Sequence, residues 1–161
     1  MNKLEKLIYA SPTVGSVEWI SYRPERKGSV LPIKEVMVHK ETGIQGDHYG
    51  KSGKRQVTLI QKEHLEVVAK MLKKEQIDPK LTRRNIIVSG INLKSLIGKA
   101  FTIGDGLVLE ATGDCVPCDR MEENLGPGGY QAMVNHGGIC CRVIQSGYIK
   151  LGDEVKIHTT H

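Results

Sequence analysis

Apolar residues recur at about every second position along several short segments of the chain, the pattern of strands with one buried face. Residues 14–22 alternate loosely in this way, and other segments are short apolar runs rich in Val and Ile. Predicted strands cover residues 14–22, 33–39, 55–60, 86–88, 139–144 and 154–157. A hairpin is predicted over 100–103 and 107–109, with Asp105-Gly106 supplying the turn.

One segment has a helical period instead. Residues 62–75 carry four apolar side chains on one face and charged residues on the other, which predicts the main helix. The apolar face consists of Leu65, Val68, Ala69 and Leu72. Short helical turns are predicted at 121–125 and 130–134. Many short strands with one main helix predict a mainly β fold, a barrel or a sandwich, and no β–α–β crossover pattern is apparent.

Composition is that of a water-soluble domain. The chain has 161 residues, 39% hydrophobic and 25% charged, so we expect a single domain over residues 1–161. No apolar run approaches the roughly 18 residues of a membrane span, and residues 1–6 lack the apolar core of a signal peptide. We therefore expect a cytoplasmic protein without a membrane partner.

The net charge of +5 comes from dispersed lysines and favours anionic partners in general. Only one Phe, one Trp and five Tyr are present to stack on bases, and no nucleic-acid-binding motif appears. Nucleic acid is therefore not an expected partner.

The segment with the most chemistry is Cys115-Val-Pro-Cys118, directly after a predicted strand. Such a pair can be half of a structural metal site, a redox couple, or one functional thiol with a neighbour. Adjacent Cys140 and Cys141 lie in a predicted strand and would point to opposite faces, which does not fit a second zinc knuckle. A thioredoxin-like redox pair needs a βαβ context. A single functional thiol is therefore favoured, with Cys140 and Cys141 packing as small hydrophobic residues.

Two arginines and an Asn stand at the entrance to the strand 86–88. Arg83 and Arg84 offer planar donor groups suited to phosphate, and Asn85 follows them. A pair of plain surface arginines is the alternative. Arg55 is a further candidate for anion binding. The Gly-rich loop 43–48 predicts a sharp turn or a close approach of the backbone.

Six motifs in this order resemble a MOSC domain, the family named for the C-terminal domain of molybdenum-cofactor sulfurases. The motifs are Gly43-x-x-Gly-Asp-His48, Arg55-Gln-Val-Thr-Leu-Ile60, Arg83-x-Asn-Ile86, Cys115-x-Pro-Cys118, His136-Gly-Gly-Ile-Cys140 and Gly147-Tyr-Ile-x-x-Gly-Asp153. The resemblance covers about residues 12–158.

The resemblance implies a β-barrel that binds molybdenum as its molybdopterin complex, with a protein cysteine as a metal ligand. By the family's pattern Cys118 is that ligand and the catalytic residue, while Arg83 and Asn85 contact the pterin or its phosphate. His48 stands where relatives place a basic residue with a phosphate role, and Arg55 is a further cofactor-binding candidate. The basic loop 23–27 lies where relatives place another cofactor-binding residue.

The activity that the resemblance implies is reduction of N-hydroxylated compounds by a small molybdoenzyme. No iron–sulfur, haem or flavin site is apparent, so electrons would come from a separate protein. The alternative is a carrier that passes on the cofactor, or sulfur held as a persulfide on Cys118 and supplied by another protein. A third possibility keeps the fold without molybdenum, as a structural zinc protein or an anion-binding module.

Overall fold

The computed structural model of the chain describes residues 1–159. In this range the strands are β1 (Gly15–Tyr22), β2 (Leu31–Pro32), β3 (Glu35–His39), β4 (Gly43–Ile44), β5 (Val57–Gln61), β6 (Ile86–Ser89), β7 (Ala100–Ile103), β8 (Leu107–Asp114), β9 (Ile139–Gln145), β10 (Gly147–Lys150) and β11 (Glu154–Ile157). The helices are α1 (Lys3–Tyr9), α2 (Lys62–Met71), α3 (Pro79–Thr82), α4 (Asp119–Leu125) and α5 (Gly129–Met133), with a 3-10 turn at Leu93–Leu96. None of the helices in residues 1–159 is long and apolar enough to cross a bilayer.

Seven strands close into a barrel in the order β11-β7-β8-β9-β5-β6-β1. The ring is completed by antiparallel pairing of β1 with β11, in which Gly15 lies opposite Val155. The short strand β2 extends β1, and β10, β3 and β4 form a separate three-stranded sheet. The predicted mainly β barrel with one main helix is therefore confirmed.

The barrel contains one parallel pair, β5 with β6, and the chain crosses between them through α2 and α3. The expectation that no crossover occurs was therefore wrong. A short apolar run has the same sequence pattern in a parallel pair as in an antiparallel pair, so the local sequence does not predict the direction of pairing. The Cys-x-x-Cys segment lies elsewhere, after β8, which pairs antiparallel with both of its neighbours. No thioredoxin-like unit surrounds it.

Apolar side chains fill two clusters, one inside the barrel and one between its wall and the helices. Strand β5 is buried at every residue because its alternate side chains enter both clusters: Val57 and Leu59 the interior, Ile60 the helix side. Fully burying such a side chain contributes roughly 1.5–3 kcal/mol. The double burial makes β5 a central strand that anchors the site.

Helix α2 is the predicted main helix, but it ends at Met71 rather than at residue 75. Lys73 adopts a left-handed conformation with φ of 56°, and Lys74 N–H bonds back to Ala69 O at 2.9 Å. Helices commonly end on such a left-handed residue, usually glycine. A lysine in that position gives no sequence signal for the end of the helix.

Helix α1 was not predicted. Its signal is a capping box, in which the Asn2 side chain accepts from Glu5 N–H and the Glu5 side chain accepts from Asn2 N–H. No residue of α1 is buried. Helix α1 therefore has no apolar stripe packed against the barrel.

Four strands of the barrel, together with Asn85 just before β6, lie at one level, and this level positions the candidate site. Ser21 of β1 donates its backbone N–H to Asn85 O at 2.7 Å, and Asn85 donates its own to Thr58 O of β5 at 3.1 Å. Thr58 is paired with Cys140 of β9, which is in turn paired with Gly113 of β8. Residues far apart in sequence are thereby placed side by side.

Side chains at this level lie on the outer wall of the barrel. Their immediate neighbours Val57, Leu59 and Cys141 belong to the interior cluster, and successive side chains of a strand point to opposite faces. The prediction that Cys140 and Cys141 face opposite ways is confirmed.

Candidate functional site

Asn85 is the centre of a buried polar network at this level. It is 0% exposed, and its Oδ1 accepts hydrogen bonds from the backbone N–H and the hydroxyl of Thr58 at 3.0 and 3.1 Å. Its Nδ2 donates to Ser21 O and to Asp47 Oδ1, each at 3.4 Å. All polar groups of the amide are thereby satisfied. The structure thus joins β1, β5 and the loop 43–48 through one side chain.

Asp47 is the residue that fixes the Gly-rich loop. Its carboxylate accepts the Arg23 backbone N–H at 2.8 Å and forms a two-point pair with the Arg23 guanidinium, with Nε–Oδ1 and Nη2–Oδ2 distances of 3.2 Å. Burial raises the pKa of Asp47, but hydrogen bonds from Arg23 and its charge outweigh this and leave the pKa below its usual value. Asp47 is therefore an ionised structural anchor.

His48 follows this anchor and is exposed. Its backbone N–H donates to Arg23 O at 2.7 Å, and its Nδ1 lies 3.0 Å from the same carbonyl oxygen. The structure places the predicted His48 beside Arg23, with its imidazole on the surface. The basic loop 23–27 therefore belongs to the site through Arg23.

The adjacent arginines have different environments. Arg83 is half-buried in a left-handed conformation (φ 58°), and its Nη1 donates to Gly28 O at 2.6 Å. Burial and the nearby charges of Arg120 and Arg23 lower the pKa of the Arg83 guanidinium. Three guanidinium groups therefore gather within electrostatic reach of one another. Arg120 comes two residues after Cys118, which brings the cysteine segment to this cluster.

Arg84 is buried, only 8% exposed, and its fork binds three carbonyl oxygens. Nε donates to Gly137 O at 2.8 Å, Nη1 to Thr82 O at 3.0 Å and Nη2 to Cys115 O at 3.2 Å. A buried charge normally has an ionic partner. Within residues 1–159 no carboxylate forms an ion pair with Arg55, Arg83, Arg84 or Arg120, which we call the arginine cluster.

The two cysteines of the Cys-x-x-Cys segment differ in exposure. Cys118 is exposed and precedes α4, with its carbonyl accepting Met121 N–H at 3.0 Å. Cys115 is 2% exposed, and its N–H donates to Gly138 O at 2.8 Å. The accessible thiol is therefore the predicted ligand Cys118.

Cys115 nevertheless has the strongly perturbed thiol. A hydrogen bond from Cys140 and the charges of Arg84, Arg55 and Arg23 outweigh burial and lower the pKa of Cys115 to about 6. The Arg55 Nη2 atom lies 3.9 Å from its sulfur. At neutral pH Cys115 is a thiolate, and it supplies negative charge facing Arg84 and Arg55.

The His136-Gly-Gly motif packs closely against the Cys-x-x-Cys segment and against β5. A Cβ on Gly137 would stand 2.6 Å from Cys115 O, and one on Gly138 (φ 89°) would collide with Leu59 O. Only glycine allows the backbone to approach β5 and the cysteine segment this closely. The two glycines are therefore explained by packing.

One family model matches most of this chain. The MOSC domain model matches residues 39–156, more than half of the chain. The chain belongs to the MOSC domain family. The MOSC resemblance drawn from the six motifs is therefore confirmed, and the matched range includes the arginine cluster and the Cys-x-x-Cys segment. The family is associated with the molybdenum cofactor.

Solved structures share this MOSC fold. The YuaD protein from Bacillus subtilis has a TM-score of 0.79 at 21% identity, covering 92% of this chain and 97% of that chain. YiiM from Geobacillus stearothermophilus has a TM-score of 0.70 at 16% identity, covering 90% and 75%. YiiM from Escherichia coli has a TM-score of 0.68 at 17% identity, covering 91% and 71%. No curated protein sequence matches this chain.

The residues present in this MOSC site fit a phosphorylated cofactor with a thiophilic metal. Arg55, Arg83 and Arg120 have no carboxylate partner among residues 1–159 and supply donors for an anion, while the exposed Cys118 thiol supplies a soft ligand. Of the predicted site residues, Arg83 and Arg55 belong to the arginine cluster, His48 lies on the surface beside Arg23, and Asn85 is buried. No group of three or more His, Cys, Asp or Glu side chains in residues 1–159 could hold a metal.

Sequence reasoning missed Asp47, the burial of Arg84 and the contact of Cys115 with Cys140. A signal existed for Asp47, since an acidic residue in a Gly-rich turn often organises its loop. The other two depend on distant parts of the chain meeting and have no local signal.

Proposed function

We propose that this MOSC protein binds the molybdenum cofactor at the arginine cluster with Cys118 as a protein ligand to the metal, and acts as a small reductase of N-hydroxylated compounds. The observation that supports this most is an exposed thiol, Cys118, two residues before Arg120, whose charge acts on Arg83. Neither arginine has an ion-paired carboxylate among residues 1–159. An anionic dithiolene cofactor needs that combination of charge and soft ligand. When bound, the molybdenum centre supplies two-electron redox chemistry.

Each residue of the chain has a distinct role in this proposal. Arg83 and Arg120 bind the phosphate, since both lie on the accessible side of the cluster. Arg55, which is exposed, extends the same positive surface toward Cys115. His48 contributes from the surface beside Arg23. Cys118 holds the metal as a thiolate.

Asn85 acts from beneath the site. Its amide is fully used by Thr58, Ser21 and Asp47, so its role is to hold the backbone on which Arg83 and Arg84 stand. Ser21 adds to this with a hydrogen bond from its hydroxyl to Arg84 O at 3.0 Å. The arginine pair is therefore presented on a rigid support.

Electrons come from a separate protein in this proposal, because four cysteines with this spacing do not match an iron–sulfur cluster motif. The carrier of cofactor or sulfur remains the second candidate function, and the exposure of Cys118 favours it, since a thiol that delivers cargo must be reachable by another protein.

The test is metal and pterin analysis of protein purified from a cofactor-producing host, followed by an amidoxime reduction assay with reduced viologen as donor. We expect stoichiometric molybdenum and pterin, and loss of turnover in Cys118→Ser. Arg83→Ala should lose most of its pterin. The matched control is Arg142→Ala, because Arg142 pairs with Glu110 at 3.2 Å and stands apart from the cluster.

The outcomes separate the candidates. Full pterin content in Arg83→Ala would contradict the phosphate site, and turnover in Cys118→Ser would contradict the ligand. Bound cofactor without turnover, or a cyanide-releasable sulfur on Cys118, would support the carrier. Zinc without pterin would overturn both proposals.

A further inference from the structure

Cys115 directly follows β8, and Cys140 near the start of β9 lies diagonally across the ladder from it, opposite Gly113. The pair Asp114 and Ile139 closes the ladder, and Cys115 N–H continues it to Gly138 O at 2.8 Å. The Cys140 sulfur lies 3.9 Å from the carbonyl oxygen of Asp114, the residue just before Cys115. Cys140 is also the neighbour that lowers the pKa of Cys115 most. Two free thiols therefore meet on the outer wall of the barrel.

The surroundings of this pair favour a nucleophilic thiolate on Cys115. The Arg55 Nη2 atom is 3.9 Å from its sulfur, and Arg84 holds its carbonyl oxygen at 3.2 Å. The charge of Arg23 also acts on Cys115. Cys141 lies on the opposite face of β9, inside the barrel, and burial raises the pKa of its thiol. A hydrogen bond to Cys115, burial and the Cys115 charge raise the pKa of Cys140, which favours the proton on Cys140 and the negative charge on Cys115.

We propose that Cys115 and Cys140 form a peroxide-sensitive thiol pair that closes to a reversible intramolecular disulfide. This proposal does not depend on the function proposed above, because the pair reacts without any cofactor.

The reaction has two steps, with a peroxide as the oxidant. In the first, the Cys115 thiolate attacks one peroxide oxygen, an S–O bond forms, the O–O bond breaks, and hydroxide leaves and is protonated to water. In the second, Cys140 loses its proton and attacks the sulfenic acid sulfur, the S–S bond forms, and the oxygen leaves as water. Two thiols have then lost two electrons, and a reducing thiol reverses the change.

A cavity of about 140 Å³ adjoins the cysteine segment, and a small oxidant would approach Cys115 from there. Cys115 lines it together with Val116, Tyr130 and Val134. Val116 is 69% exposed, so the cavity lies at the surface. Peroxide has only two heavy atoms and fits this space, whereas a protein partner does not.

The test uses the purified full chain, reduced and then exposed to hydrogen peroxide at pH 7, alkylated and digested with trypsin without reduction. Cleavage after Lys99, Arg120 and Arg142 yields peptide 100–120, with Cys115 and Cys118, and peptide 121–142, with Cys140 and Cys141. We expect two of the four thiols to be lost, and the two peptides to be joined by one disulfide that dithiothreitol releases.

Two matched variants assign the sulfurs. Cys118→Ser/Cys141→Ala keeps only Cys115 and Cys140, and the linked peptides should still form. Cys115→Ser/Cys140→Ala keeps only Cys118 and Cys141, and they should not. If the first variant does not fold, fragmentation of the linked wild-type peptides identifies the joined sulfurs. An internal Cys115–Cys118 disulfide in peptide 100–120, a link through Cys118 or Cys141, or four free thiols after millimolar peroxide each overturn the proposal.

Discussion

Arg84 and Cys115 bind each other across the site, although 31 residues separate them in sequence. The Arg84 Nη2 atom donates to Cys115 O at 3.2 Å, and the guanidinium charge helps to keep the Cys115 thiol ionised. The arginine is buried without a carboxylate partner among the described residues, and the thiolate supplies the opposite charge. Fold and site chemistry therefore depend on the same contact.

Replacing Arg84 with Met should destabilise the fold by about 2–4 kcal/mol, because the carbonyls of Gly137, Thr82 and Cys115 lose a charged donor in a buried place. Chemical denaturation with urea measures the change. Arg84→Lys is the matched control, because it keeps the charge but loses the three-point fork. Its free energy of unfolding should lie between those of the wild type and Arg84→Met. A wild-type stability in Arg84→Met would contradict the role given to these bonds.

The Cys115 thiol should react with an unusual pH dependence. With a pKa of about 6, its thiolate fraction falls only about twofold between pH 7 and pH 6, whereas an ordinary thiol falls about tenfold. The rate of alkylation of peptide 100–120 in Cys118→Ser, followed by mass spectrometry at the two pH values, measures this ratio. In Cys118→Ser/Cys140→Ala the hydrogen bond that lowers the pKa most is lost, and the ratio should move toward tenfold. Identical ratios in the two backgrounds would contradict the contact.

Asp47 should contribute stability that disappears in acid. Its pKa is lowered in the folded protein, so its contribution is fully present above the unfolded-state pKa of about 3.9 and is lost as pH falls through the lower folded-state pKa. Asp47→Asn should therefore cost about 2–4 kcal/mol at pH 7 and progressively less below pH 4. Urea unfolding of both proteins from pH 7 to pH 3 tests this. A difference that stays constant with pH would show that Asp47 is not ionised in the folded protein.

Gly138→Ala should be among the most damaging small substitutions in this chain. The residue has φ of 89°, and an added Cβ would also collide with Leu59 O of the central strand β5. Gly152→Ala is the matched control, since Gly152 has φ of 87° but no atom within 4 Å of its Cβ position. We expect about 1–2 kcal/mol for Gly152→Ala from the left-handed conformation alone, and at least twice that, or insoluble protein, for Gly138→Ala. Equal effects would mean that β5 moves freely to make room.

The sequence by itself determined most of the barrel strands, the main helix and the family, but not the short strands β2, β4 and β10. Alternating apolar residues mark strands locally, and the opposite orientations of Cys140 and Cys141 follow from the period of two. The motif order was sufficient for the MOSC assignment. The sequence did not determine the strand directions, because a short apolar run carries no signal of its direction. Nor did it determine the end of α2 at Met71, because a lysine in the left-handed conformation gives no signal in the sequence.

Only the tertiary structure decided how the site is assembled. Arg83 and Arg84 are adjacent and chemically identical in the sequence, yet Arg83 is half-buried whereas Arg84 is buried and donates to Cys115 O. Cys115 and Cys118 likewise form one motif, but Gly138 holds the first against the barrel wall while the second stays exposed. These differences arise from contacts between strands far apart in sequence. Charge, burial and thiol reactivity depend on such surroundings, and the residue types alone do not fix them.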